Sequence, residues 1–375
     1  MGATPFSFYE FFAGGGMARL GLGAPWTCAF ANDFDSVKAS TYRLNFPDAS
    51  AHFREGDVWR LSTAELPGQA DLAWASSPCQ DFSLAGARAG LEGGRSSAFF
   101  GFWRLMQALG AEGRAPRLIV IENVTGLLTS RGGADFAALG QALAEAGYVF
   151  GALEVDAACL LPQSRPRVFV IASRAPPPPG LVGDSPFHTR AVRAAHAALG
   201  PALKRGWVWW RVAAPPARNT DLAALLEPDD AVAWRSEADT RRLLSLMAPH
   251  HRAKLAMQQG RAVGAVFRRT RVENGHRVQR AEVRFDGLAG CLRTPRGGSS
   301  RQTLIVVEDG RVRSRLLSPR EAARLMGLPD SYRLPAPATA ALHVAGDGVA
   351  VPVVRWLAEQ LLEPLLRPAA VLAAE

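Results

Sequence analysis

At 375 residues, 48% hydrophobic and 21% charged, the chain can build two domains with cores and lacks the composition of a disordered protein. No apolar run is long enough to span a bilayer, and no basic N-terminal segment leads into a signal-peptide core, so a cytoplasmic protein without membrane contact is expected. Cys28, Cys79, Cys159 and Cys291 are too far apart for metal-ligand spacing, so neither a metal site nor a disulfide framework is expected.

The net charge of +9 is uneven. Residues 175–315 hold 24 Lys plus Arg against 12 Asp plus Glu, and the remainder is net −3. A positive field confined to one segment suits a polyanion-binding surface. Arg outnumbers Lys throughout, a bias that accounts for which cation is used but not for where the cations fall.

In chain order, residues 7–12 read as a strand, followed by Ala13-Gly14-Gly15-Gly16 and a short helix over 17–22. Strand, glycine turn and helix open a nucleotide-binding α/β unit, because glycines let the backbone approach a ligand closely. A second strand, 27–32, ends in Asp33-Phe34-Asp35. Asp35 suits a helix cap and Asp33 a pair of ribose hydroxyls, with Phe34 placed to lie against an adenine. A third strand near 52–55 leads to Gly56-Asp57-Val58. Three successive strands thus end in glycine, acid and acid, as a cofactor crevice requires.

Leu72-Ala73-Trp74-Ala75 reads as a buried strand that must stop before Pro78, which cannot donate to a ladder. Cys79 then stands at a strand's carboxyl end, where open α/β sheets hold ligands. A lone Cys is more often a small buried hydrophobe than a nucleophile, so its neighbours must decide. Residues 83–97 are too rich in glycine for a stable helix and read as a loop carrying Arg88 and Arg95. A helix follows from about 99 to 109. The run 118–121 is a continuous apolar strand ending in Glu122-Asn123-Val124. A helix over 135–146 and a strand over 149–155 come next. Gln163, Arg165 and Arg167 alternate ahead of a strand over 168–172, a spacing that allows one set to face one way, either as a surface salt-bridge set or as anion and base readers.

The proline run 176–179 reads as a stiff linker and a domain boundary. Trp207, Trp209 and Trp210 beyond it suit a core better than base stacking. Residues 268–271 and 292–302 read as basic loops able to reach a groove. Ser318-Pro319-Arg320-Glu321 opens a capped helix running to about 326. Gly346-Asp347-Gly348 precedes a last helix from about 352 to 366.

The ordered set Phe12 to Gly16, Pro78-Cys79-Gln80, Glu122-Asn123-Val124, Gln163 to Arg167 and residues 315–332 resembles the DNA (cytosine-5) methyltransferases of bacterial modification type. The resemblance implies an α/β, Rossmann-like S-adenosylmethionine-dependent methyltransferase domain over 1–174 plus 340–375, and a smaller target-recognition domain over 175–339. It implies methyl transfer from S-adenosyl-L-methionine to carbon 5 of a flipped-out cytosine in duplex DNA, through a covalent adduct at Cys79. Such a base is unreachable while stacked, so it must leave the duplex. Glu122 corresponds to the family residue at N3 and the exocyclic amine, and Arg165 to the arginine at the cytosine O2, with Arg167 and Gln163 supporting that pocket. Phe12, Gly14, Gly16, Asp33, Phe34, Asp57, Val58, Pro78 and Val349 correspond to cofactor positions. Gln80, Ser83, Arg95, Arg293, Arg296, Arg301 and Gln302 are expected to meet DNA. The resemblance further implies a monomer on DNA, a nucleoid-associated location and a cognate restriction nuclease as a further partner.

Three positions depart from the family pattern: Met17 where Gly is frequent, Asp347-Gly348 where Asn and a small residue are usual, and Cys291-Leu292 where Thr precedes an aliphatic residue. Two further readings stay open, an RNA cytosine-5 methyltransferase and a catalytically silent DNA-binding relative.

Overall fold

The computed structural model describes residues 5–77, 98–292 and 301–367. The chain forms two compact units, one of Met1–Asp156, Pro166–Pro216 and Gly348–Glu375, the other of Ala157–Arg165 and Ala217–Asp347.

The first unit alternates strands and helices: β1 (Phe6–Phe11), α1 (Met17–Leu22), β2 (Trp26–Asp33), α2 (Ser36–Asn45), α3 (Ala49–His52), β3 (Phe53–Glu55), β4 (Leu72–Ala75), α4 (Ala98–Ala111), β5 (Leu118–Val124), α5 (Ala134–Glu145), β6 (Val149–Asp156), β7 (Pro166–Ser173), α6 (Arg190–Ala198) and α7 (Pro201–Arg205). The seven strands form one sheet in the order β3-β2-β1-β4-β5-β7-β6. The pairings from β3 across to β5 are parallel, and β7 runs antiparallel to both β5 and β6. Helices cover parallel sheets on both faces, which is why β4 and the start of β5 are apolar at every position and fully buried. Phe11, Phe30, Phe102 and Ile121 belong to the core on one face.

The boundary expected at residues 175–180 falls inside this unit. The chain after the prolines pairs back onto β6, with Phe150 N–H donating to the Gly206 carbonyl at 2.9 Å and Val208 N–H to that of Phe150 at 2.7 Å. Trp207 packs edge-on against Phe136 and Phe150, and the fully buried Trp210 donates its indole N–H to the Ile171 carbonyl. Two of the three tryptophans thus fill the core. Proline stiffness marks a change of local conformation, and aromatic burial decided where the unit ends.

The second unit contains α8 (Glu237–Ser245), α9 (Pro249–Ala256), β8 (Arg261–Glu273), β9 (His276–Arg284), β10 (Thr303–Glu308), β11 (Arg311–Leu316), α10 (Pro319–Leu325) and α11 (Ala338–Asp347). Its antiparallel sheet has the order β11-β10-β8-β9. Leu243, Met247 and Leu255 pack on the face carrying Val266, Ala281, Val283, Ile305 and Val307. Residues 268–271, expected as a loop, lie in β8. That strand pairs with β10 only from Arg261 to Val266; beyond it, β8 and β9 continue as a two-stranded ribbon. Asn274 and Gly275, with φ of 48° and 77°, turn the tip as a two-residue Asn-Gly hairpin does.

The chain rejoins the first unit before α12 (Val351–Leu357), which runs through a π-helical turn, Ala358–Leu362, into α13 (Glu363–Leu366). Among the described residues no helix is long and apolar enough to cross a membrane.

Candidate active site

Strand order reverses beside β1: β2 and β3 lie on one side, β4 and β5 on the other. Such a switch point opens a crevice at the carboxyl ends of the strands. The residues at those ends are the ones the sequence singles out.

The glycine turn follows β1. Phe12 has φ 58°, a conformation costly for a bulky residue and typical of backbone held for function. Gly14, at φ 57°, has open space where a Cβ would project. Gly16 is needed for a different reason, since a Cβ there would meet the Phe46 ring at 2.2 Å.

Hydrogen bonds stitch this turn to the next two strand ends. Ala13 N–H donates to the Asn32 carbonyl at 2.9 Å, and Gly14 N–H to Asp33 Oδ2 at 2.8 Å. Asn32 Nδ2 donates to the carbonyls of Arg54 at 2.9 Å and Gly56 at 3.0 Å, fixing the loop that carries Asp57. Asp33 therefore serves first as a brace for the turn, its Oδ1 accepting from Asp35 N–H, and burial pushes its carboxyl above the usual range. Asp35 caps α2 as expected. Phe34 is 70% exposed, an unusual state for a phenylalanine, and Asp57 beyond it is exposed too. Val58 and Val349 are buried beneath the surface.

On the other side of β1, Ala75 of β4 lies level with Phe11. Asn123, at the end of β5, donates to the Ser77 carbonyl at 3.0 Å and so anchors the backbone just ahead of Pro78 and Cys79. Asn32 and Asn123 are the two positioning residues that sequence reasoning missed. Their signal was present, a polar amide at the end of an apolar strand. Glu122 is 7% exposed, and Arg167 Nε stands 3.2 Å from its Oε1. Pro78, Cys79, Gln80, Ser83, Arg95, Arg293 and Arg296 lie outside the described residues.

Gln163, Arg165 and Arg167 do not act as one set. Strand β7 begins at Pro166, so strand alternation does not reach back to the first two. Arg165 is buried in the second unit, donating to the carbonyls of Leu292 at 3.0 Å and Gly346 at 2.8 Å, with Cys291 Sγ at 3.5 Å. Gln163 is likewise buried there, accepting from Leu292 N–H and donating to the Leu325 carbonyl. Arg167 is paired with Glu122. Gln302, expected to read bases, has its amide engaged by the backbone: it accepts from Gly290 N–H and donates to the Val266 and Thr303 carbonyls. Arg301 donates to the Leu317 carbonyl.

The family model for C-5 cytosine-specific DNA methylases matches residues 6–363. The chain belongs to this family. Its relatives include the Type II methyltransferase M.BsuFI of Bacillus subtilis, 27% identical over 96% of this chain and 73% of the relative. Another is M.HhaI of Haemophilus parahaemolyticus, 25% identical over 95% and 94%. Among solved structures, the S. pombe Dnmt2 methyltransferase superposes with a TM-score of 0.61 at 17% identity, covering 96% of this chain and all of that one. That likeness concerns the fold. In this methylase, the glycine turn follows β1, Asp33 ends β2 and Glu122 lies near the end of β5.

Proposed function

We propose that this methylase transfers the methyl group of S-adenosyl-L-methionine to carbon 5 of a cytosine flipped out of duplex DNA, with Cys79 as the transient nucleophile. The observation that carries the reading is the alignment at the switch point. The glycine turn leaves β1, and the chain entering Cys79 leaves β4 beside it, anchored by Asn123.

The residues fit the cofactor. Open space faces Gly14, and the exposed Phe34 and Asp57 stand at neighbouring strand ends, where a flat ring and hydroxyl groups would find partners. Phe12, Gly14, Gly16, Asp33, Phe34, Asp57, Val58, Pro78 and Val349 would hold it. When bound, it supplies an electrophilic sulfonium methyl group.

Carbon 5 of cytosine is a weak nucleophile. The Cys79 thiolate adds to carbon 6, and the C–S bond raises electron density at carbon 5. Glu122 holds a proton at N3, and Arg167 donates to O2, drawing charge from the ring as the thiolate attacks. Arg167 takes this place because its guanidinium stands beside Glu122, whereas Arg165 is tied to two carbonyls. Once carbon 5 carries the methyl group, loss of its proton expels the Cys79 thiolate and restores the aromatic ring.

Duplex DNA is met by the second unit. On one face of the β8–β9 ribbon Arg269, Arg271 and Arg280 are paired with Glu273 and Glu282. The opposite face presents Arg268, Thr270, Gln279 and Arg277 without an acid among them, as the pairing register places them. A two-stranded ribbon fits the major groove, and such side chains meet phosphates and base edges there. Gln80, Ser83 and Arg95 contact the target nucleotide, and Arg293, Arg296 and Arg301 contribute to sequence choice. The methylase acts as a monomer on DNA in the cytoplasm, nucleoid-associated, with a cognate restriction nuclease as a further partner.

Duplex DNA carrying 5-fluorocytosine, incubated with cofactor, tests the chemistry. A stable covalent adduct is expected, and it should vanish in Cys79→Ala. Turnover by that variant would refute the assignment. Tight DNA binding without an adduct would favour a silent relative, and an adduct on RNA alone an RNA enzyme.

A further inference from the structure

Outside the crevice, the second unit holds a cavity of about 390 Å³ between α8 and the edge strand β11. One side of α8 lines it through Glu237, Thr240, Arg241 and Leu244, at the spacing that keeps residues on one helix face. Trp234 and Arg235 close the rim, pinned to the strand by the Arg235 N–H bond to the Ser314 carbonyl at 3.0 Å. Arg311, Val312 and Arg313 form the strand side.

The four guanidinium groups are not equivalent. Arg313 is engaged by Asp229 and Glu308, and Arg241 lies 3.5 Å from Glu237. Arg235 and Arg311 form no ion pair with a carboxylate among the described residues. Arg235 is partly buried and sits in the repulsive field of Arg268, with Asp239 as the opposing charge. Two cations without an ion pair among the described residues, both lining one open cavity, ask for an anion.

We propose that this cavity is a phosphate-binding pocket that seats a backbone phosphodiester of DNA flanking the target site. Phosphate rather than a nucleotide is indicated by Trp234. Its ring already carries the guanidinium groups of Arg313 at 4.0 Å and Arg315 at 5.4 Å, which compete with a base for it. Leu243 of α8 packs with Ala281, whose cross-strand partner is Arg268, so the pocket and the acid-free face of the ribbon lie on one side of the sheet. The proposal rests on the reading of duplex DNA as substrate and adds a contact that chooses no sequence.

The test is the affinity of the full-length protein for a long duplex, measured against salt concentration, for wild type and Arg235→Ala/Arg311→Ala. The double variant should bind about 10-fold more weakly near physiological salt. The plot of log affinity against log salt should be shallower by about 2, the loss of two phosphate contacts. Turnover at saturating duplex and the methylated sequence should not change, and the lysine pair Arg235→Lys/Arg311→Lys should recover most of the affinity. Unchanged affinity and slope in the alanine variant would overturn the proposal. So would binding of inorganic phosphate, lost in that variant, without any effect on DNA affinity, which would mark a free-anion site. A wild-type protein that neither binds nor methylates duplex DNA would instead overturn the substrate reading itself.

Discussion

The thioether of Met17 lies against the backbone of Gly348: a Cβ built on residue 348 would stand 2.1 Å from Met17 Sδ and 2.8 Å from its Cε. Met17 departs from the family pattern, and the structure pairs it with the small residue at 348. A bulky residue after the glycine turn is accommodated because the returning segment has no side chain there. Gly348→Ala should therefore cost about 1–3 kcal/mol through overpacking around a buried methionine. Met17→Ala in the same chain should recover most of that loss. Thermal unfolding of the two single variants and the double variant measures the coupling; additive effects would mean that the two residues do not share this space.

Arg165 and Arg167 should separate cleanly on mutation. Arg167→Ala removes the cation beside Glu122 and should lower kcat by about two to three orders of magnitude, the size of one lost preorganised donor, with little change in Tm. Arg165→Ala leaves the Leu292 and Gly346 carbonyls without their donor and should cost about 2–4 kcal/mol of stability. Single-turnover rates and denaturant unfolding on both variants decide the matter. The opposite pattern would return the O2 contact to Arg165.

Asn123→Ala releases the Ser77 carbonyl while leaving Glu122 and the glycine turn in place. Methyl transfer should slow by about 10-fold or more, because small misplacements of a nucleophile are costly. Cofactor affinity should hold, which equilibrium binding of S-adenosyl-L-methionine checks. Full activity would show that the entry to Cys79 needs no such anchor.

Glu10 predicts a pH dependence of folding. Burial holds its carboxyl up to about 8; Oε1 accepts a 3.4 Å bond from Arg19 N–H, and Oε2 has no hydrogen-bond partner among the described residues. Between the ordinary carboxyl range and about 8, the folded protein keeps a proton that the unfolded chain has lost. Stability therefore falls as pH rises through that window, by up to about 1.4 kcal/mol per pH unit for one proton, and levels off above it. Glu10→Gln should remove the decline. Urea unfolding at several values between pH 5 and pH 9 tests this, and parallel curves for the two proteins would contradict it.

Much of the fold was legible before any coordinates. The Asp35 cap and the Ser318–Glu321 capping box involve partners within a few residues, so local chemistry alone announced them. The Asn274-Gly275 and Asp309-Gly310 turns are equally legible; each carries the left-handed pair that a tight hairpin requires. A ribbon therefore stands where a loop is expected.

What the sequence by itself determined is the chemistry at the strand ends: a glycine turn, acids at the second and third strands, Pro78-Cys79, and Glu122 after an apolar run. What only the tertiary structure decided is which identical side chains are available for that chemistry. Arg165 meets a carbonyl 181 residues away, and Gln302 one 36 residues away, while Arg167 turns to Glu122. A side chain's partner is chosen by distance in space, and residue types repeated two apart carry no record of which distant backbone will need a donor.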